Sequence, residues 1–310
     1  MKTFVIILVF FSSIANAQYN KTNLTLEAAT SQAKYRYENL QLYPIRANAA
    51  FVSSNKGVGK FETLKNALEK KKVVVTESKK EEVNNLFIEN VSKDTVMILA
   101  GEVVQGGKQD RMVGQDVILY PNSGKKDLSV FCVEHGRWQP KESGKEFKNY
   151  YSISSNEVRK AGAVKKDQSE VWSKVSETTT KHKANTSTGT LTALKESSDY
   201  SKELKKYTDY FENLIINEND VIGVMAVTGN TVLGCDMFAT HELLTKHYQN
   251  LINSYATEAI TTGKTVQLPY EKAYQYLDTI IDDERKQEVE VPKKGTLLKD
   301  GKKKIHISTF

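Results

Sequence analysis

Two arginines, two glutamates, one cysteine and one tryptophan gather between Glu102 and Trp138: Glu102, Arg111, Cys132, Glu134, Arg137 and Trp138. The chain carries its positive charge almost entirely on lysine, with 38 Lys against six Arg. In such a chain an arginine marks a place where planar, two-pronged hydrogen bonding is wanted. That geometry suits a carboxylate or a phosphate. Two arrangements follow from the spacing. In one, Arg111 and Arg137 pair with Glu102 and Glu134 in a partly buried network that fixes a sheet, and no ligand is needed. In the other, Lys108, Arg111 and Arg137 grip a small anion, Gln109 adds a hydrogen bond and Trp138 forms a stacking wall. Glu134 then handles a proton with Glu102 as its partner. Cys132 is either a packed thiol or a nucleophile. Packing is the simpler reading, because no histidine is placed to activate it and free cysteines are usually buried.

Other motifs fail on context. Gly101-x-x-x-x-Gly106-Gly107-Lys108 lacks the Ser or Thr that follows the lysine of a phosphate loop, and a strand pattern rather than a helix comes next. His241-Glu242 begins like a zinc-protease helix, but Thr245 stands where the second histidine belongs. The five histidines are scattered, so neither a metal site nor a cofactor is expected. The lysine clusters are dispersed and often lie beside Glu. They read as solvated surface and not as a nucleic-acid footprint.

The elements around this block alternate in kind. Leu40 to Ile45 reads as a strand that Pro44 ends or holds at an edge. Phe61 to Leu68 has helical spacing, and 73–76, 86–88, 95–100, 113–120 and 128–134 read as strands. Residues 18–36 suggest a loose arm or short helix. The stretch 178–198, without periodicity, suggests a flexible loop. Helices are expected near 201–215, 240–260 and after Pro269. Hairpins are expected near 221–238, turning at Gly229-Asn230, and near 288–307. A β-rich part at about 38–138 and a helix-rich remainder give an α+β class, as one domain over 18–310.

The 310 residues are 39% hydrophobic and 26% charged with a net charge of +6. This balance excludes a disordered chain, a cysteine-stapled module and a multi-span membrane protein. Lys2, the apolar run Phe4 to Phe11 and Ala15-Asn16-Ala17 have the layout of a secretory leader cut after Ala17. The run is far short of the ~20 residues of a membrane-spanning helix. Loss of the leader removes Lys2 and takes the net charge to +5. The mature chain is then expected to be periplasmic or secreted. There Cys132 and Cys235 could pair if their backbones come close enough.

The run Gly101-Glu102-Val103-Val104-Gln105-Gly106-Gly107-Lys108-Gln109-Asp110-Arg111, followed by Cys132-Val133-Glu134-His135-Gly136-Arg137-Trp138, resembles the signature of the ARPP-1 family. Gln168-Ser169-Glu170-Val171-Trp172, Gly234-Cys235-Asp236-Met237-Phe238 and Ser254-Tyr255-Ala256 are also similar to it. The resemblance spans about residues 35–285. It implies association with ADP-ribosylglycohydrolase and rhodanese–phosphatase proteins, and so a phosphorylated or nucleotide-like ligand. The expected function is binding, with or without processing, of a small anionic molecule. The competing one is a non-enzymatic envelope or interaction protein with a structural Glu–Arg network. The ligand reading requires Arg111, Glu134 and Arg137 to line one open concave pocket.

Overall fold

The computed structural model describes residues 18–78, 82–140 and 144–310. The leader at 1–17 lies outside the described residues. Strands β1 (Leu24–Leu26), β2 (Arg36–Tyr37) and β3 (Leu40–Ala47) precede helix α1 (Ala49–Asn55). Then come β4 (Phe61–Thr63), α2 (Leu64–Glu69), β5 (Val73–Glu77), β6 (Asn85–Asn90), β7 (Thr95–Ile98), β8 (Glu102–Gly106), β9 (Arg111–Val113), β10 (Val117–Leu119), β11 (Gly124–Cys132) and β12 (Phe147–Ile153). Helices α3 (Asn156–Ala163), α4 (Gln168–Lys181) and α5 (Ser198–Phe211) lead to the hairpin β13 (Val221–Thr228) and β14 (Thr231–Phe238). Helices α6 (His241–Thr261), α7 (Tyr270–Ile281) and α8 (Glu284–Lys294) precede the hairpin β15 (Gly295–Asp300) and β16 (Lys303–Thr309). The class is α+β, as expected.

One sheet runs β1-β3-β13-β14-β16-β15, with β2 also on β3. Its central strand β13 is buried along its whole length. From Val224 on the period-2 rule explains this: Val224 and Ala226 pack with Leu251, Ile252 and Tyr255 of α6, while Met225 and Val227 pack with Ala273, Leu277 and Ile280 of α7. Ile222 joins the α7 side because the pairing shifts register between Val221 and Gly223. Thr240 caps α6 by accepting the Leu243 amide at 3.2 Å, which fixes where the helix begins.

A second sheet runs β12-β8-β9-β11-β6-β5. It curls until its two outer strands meet at a Thr76–Glu146 bridge, so it is almost a barrel. Val104, Val113, Val130 and Phe147 belong to one core cluster with Leu86 and Ile88. Their neighbours Val103, Met112 and Phe131 pack with Val158, Val171 and Val175 of α3 and α4. A small sheet β10-β7-β4 completes the set.

Several expectations are corrected. Pro44 neither ends its strand nor lies at an edge, since β3 runs to Ala47 between β1 and β13. Its carbonyl accepts the Glu27 amide just past the end of β1. Its ring nitrogen therefore faces the gap between β1 and β2, where no partner strand needs a donor. Phe61–Thr63 is strand, and only Leu64–Glu69 is helix. The run 113–120 divides between two sheets. Residues 18–36 hold β1 and a 3-10 helix at Ala29–Tyr35. The expected loop 178–198 holds the last turn of α4 and a 3-10 helix, Leu191–Glu196, whose Leu191 and Leu194 are buried. The last hairpin starts at Gly295, because Val289 and Val291 belong to α8. Cys132 and Cys235 are both free and buried, and do not pair.

Candidate functional site

The turn after β8 and the chain after β11 meet at Arg137. Its guanidinium donates to Glu134 Oε2 at 2.6 Å, to the Gly107 and Gln139 carbonyls at 2.7 Å and to the Gly106 carbonyl at 3.3 Å. Asp110 Oδ1 lies 3.4 Å from the same Nη2. Glu134 also accepts the Asp110 amide at 3.0 Å. Asp110, absent from the residues singled out above, is fully buried. It accepts from the Gly106 amide and from the hydroxyls of Thr190 and Thr192. The network therefore stitches the 3-10 helix at Leu191–Glu196 onto the barrel. Gly107, at φ +44°, permits the turn, and a Cβ there would strike Glu77 and the Phe147 ring.

Arg111 faces a different neighbourhood. It is fully buried on β9, in register with Cys132 of β11. Its Nη1 donates to the Gln109 carbonyl at 2.9 Å, while among the described residues Nε and Nη2 have no hydrogen-bond partner. Nη2 stands 3.9 Å from Glu77 Oε2, an ion pair too long for a direct hydrogen bond. The Cys132 thiol donates to Gln109 Oε1 at 2.9 Å. Burial pushes that thiol up to about 11, against the pull of Arg111, which fits the packed reading of Cys132. Both backbone groups of Cys132 are held by the Gln168 side chain, at 2.8 and 2.9 Å. This gives the 168–172 run a structural purpose: it pins α4 to the barrel. Lys108 sits over the Trp138 ring at 5.0 Å, at the surface.

Glu102 does not join Arg111 or Arg137. It is fully buried, and its Oε2 accepts the Leu99 amide at 2.8 Å. Burial, outweighing that amide and the Tyr150 hydroxyl, raises its carboxyl to about 8. The condition for the ligand reading is therefore not met. Among the described residues Arg111 and Glu134 are sealed from solvent and Arg137 is only 14% exposed, so the three do not open onto solvent together.

A second buried cluster escaped the sequence reading. Asp236 on β14 receives Arg159 Nη2 at 3.1 Å, His306 Nε2 at 3.1 Å and the Tyr255 hydroxyl. His306 Nδ1 lies 2.6 Å from Asp116 Oδ2, which also accepts from Thr296 at 2.9 Å. Asp236, Arg159 and His306 are fully buried. Burial alone would lower the His306 imidazole, but the two flanking aspartates hold it up at about 9. Burial would raise Asp236, but Arg159 and His306 keep it far below the carboxylate range. The row Asp116–His306–Asp236–Arg159 thus alternates in charge and sums to zero. It joins α3, β14, β15 and β16 to the loops flanking β8 and β9. Gly101, at φ +97°, leaves room for the Arg159 side chain that a Cβ would strike. Asp236 and Tyr255 fall in runs already noted for their resemblance. Arg159 and His306 carry no local motif.

The family model for the ARG and Rhodanese-Phosphatase-superfamily-associated Protein domain matches residues 29–306. No curated protein and no solved structure matches the chain.

Proposed function

The chain belongs to this ARPP-1 family, and from that premise we propose an exported, non-enzymatic binding or interaction protein, with the Glu134–Arg137–Asp110 network as its structural clasp. One observation carries this: both terminal nitrogens of Arg137 are taken up by Glu134, Asp110 and three carbonyls, and its Nε is buried. Neither terminal prong of the guanidinium is left for an outside anion, and the Glu134 carboxylate is already committed to Arg137 and the Asp110 amide. Glu102, the other such carboxylate, has no solvent access.

Arg137→Met is expected to cost at least ~2 kcal/mol, because it takes from the buried Glu134 carboxylate the cation that stands 2.6 Å away. Adding Glu134→Gln should recover part of that loss. Denaturant unfolding of the three variants measures both. In a thermal-shift screen against ADP-ribose, nucleotides, sugar phosphates and dicarboxylates, Arg137→Met should change no ligand response. A ligand that stabilises the parent and not this folded variant would restore the anion-site reading.

Export rests on the leader pattern. Its fit with the fold is direct: Gln18 exchanges two 2.8 Å hydrogen bonds with the Lys304 backbone, and Tyr19 is fully buried. The exported protein should show a mass that starts at Gln18. A cell-associated product retaining residues 1–17 would contradict it.

A further inference from the structure

We infer that the cavity between the end of β12, the 3-10 helix at Leu191–Glu196, α5 and α6 binds a small amphipathic carboxylate. Its volume is about 280 Å³, close to the ~300 Å³ at which small-molecule sites begin. Ile153, Leu191, Leu194 and Leu204 supply apolar lining. Tyr151 and Tyr200 add aromatic surface. Ligand sites combine such lining with a few polar groups that fix orientation. Here those are Ser201, Thr208 and Asn253. Among the described residues no hydrogen bond reaches the Tyr151 hydroxyl. The buried Ser154 hydroxyl, in the same wall, is also without an acceptor or donor.

The sign of the ligand follows from charge. The lining holds Lys195 and Lys205 and no acidic residue. Both lysines have surface carboxylate neighbours, Glu196 at 3.9 Å and Asp209 at 2.7 Å, and such exposed pairs are weak enough to be exchanged. Tyr200 and Ser201 lie in the first turn of α5, whose dipole favours a negative group. The neighbouring cavity of about 470 Å³ is lined by Glu157, Glu177 and Glu258 beside Lys174 and Lys264, so it does not share this one-signed lining. An apolar body fits the leucines and tyrosines, and a carboxylate fits the lysine rim.

This inference is independent of the clasp. The probe is sodium phenylacetate, with phenylacetamide as its neutral counterpart, offered to the mature chain in saturation-transfer NMR and calorimetry. The acid should bind better than the amide, and more weakly as salt rises. Lys195→Glu should weaken it about fivefold. Ser201→Trp, an exposed position at the mouth, should abolish it, while Arg137→Met should leave it unchanged. Circular dichroism checks that each variant is folded. No saturation transfer, equal binding of the amide, or binding untouched by Ser201→Trp would overturn the assignment.

Discussion

Replacing Asp236 by Asn is expected to cost about 3–5 kcal/mol of folding stability, a fall in Tm on the order of 10 °C. The substitution keeps the shape of the side chain and removes only its charge. Arg159 then stays fully buried with no anion opposite it, and an amide must face groups that were bound to a carboxylate. An unpaired buried charge is far more costly than a missing pair. Arg159→Met added to Asp236→Asn should therefore recover a large part of the loss, since Asp116 and His306 still balance each other at 2.6 Å. Guanidinium unfolding followed by circular dichroism compares the single and double variants. A loss under about 1 kcal/mol for Asp236→Asn, or a double variant no better than the single one, would contradict a charge-balanced cluster.

Stability is also expected to decline as the pH is raised from about 6.5 to 9. His306 titrates near 9 in the folded protein, above its ordinary 6.5. The folded state therefore keeps a proton that the unfolded chain has lost. Its contribution is complete below 6.5 and disappears as the pH passes through 9. The full effect is on the order of 3 kcal/mol. Glu102 acts in the same direction: with its carboxyl at about 8 instead of 4.5, its contribution is present below 4.5 and is lost as the pH rises through 8. The acid side is governed by other groups. Burial lowers His247 to about 3, so its contribution is present above 6.5 and is lost as the pH falls through 3. Glu62 is drawn to about 2: burial opposes this, but Lys72, Asn66 and Lys70 prevail. Its contribution fades below 4.5. Stability should peak on the mildly acidic side of neutrality. His306→Gln should flatten the limb between 6.5 and 9, and Glu102→Gln the part between 4.5 and 8. Parent stability that holds constant or climbs from pH 6.5 to 9 would refute the assignment of a protonated imidazole.

Local chemistry was readable where it sufficed. The hairpin at Gly229-Asn230 and the helix capped by Thr240 follow from turn residues, a cap and a regular apolar spacing, all within a few positions. The Glu134–Arg137 pair is equally local, three residues apart. Glu102 was misplaced because a strand carries alternate residues to opposite faces, and which face meets which network depends on strands paired far along the chain. The same distance hid β8 and β12, which find each other across about forty residues with two register shifts. Arg159 and His306 stand 77 and 70 positions from Asp236. No periodicity relates residues so far apart, and a single arginine or histidine looks like any other until the fold closes.

Strand β16 lies between β14 and β15, and this position governs what an incomplete chain can be. A product stopped before Lys303 keeps β14 with one side unpaired and leaves Asp236 without its histidine. A row of charges short of its imidazolium would then sit beside a bare strand edge, which is a template for pairing with other chains. Forms of this protein that lack β16 should therefore collect as aggregates.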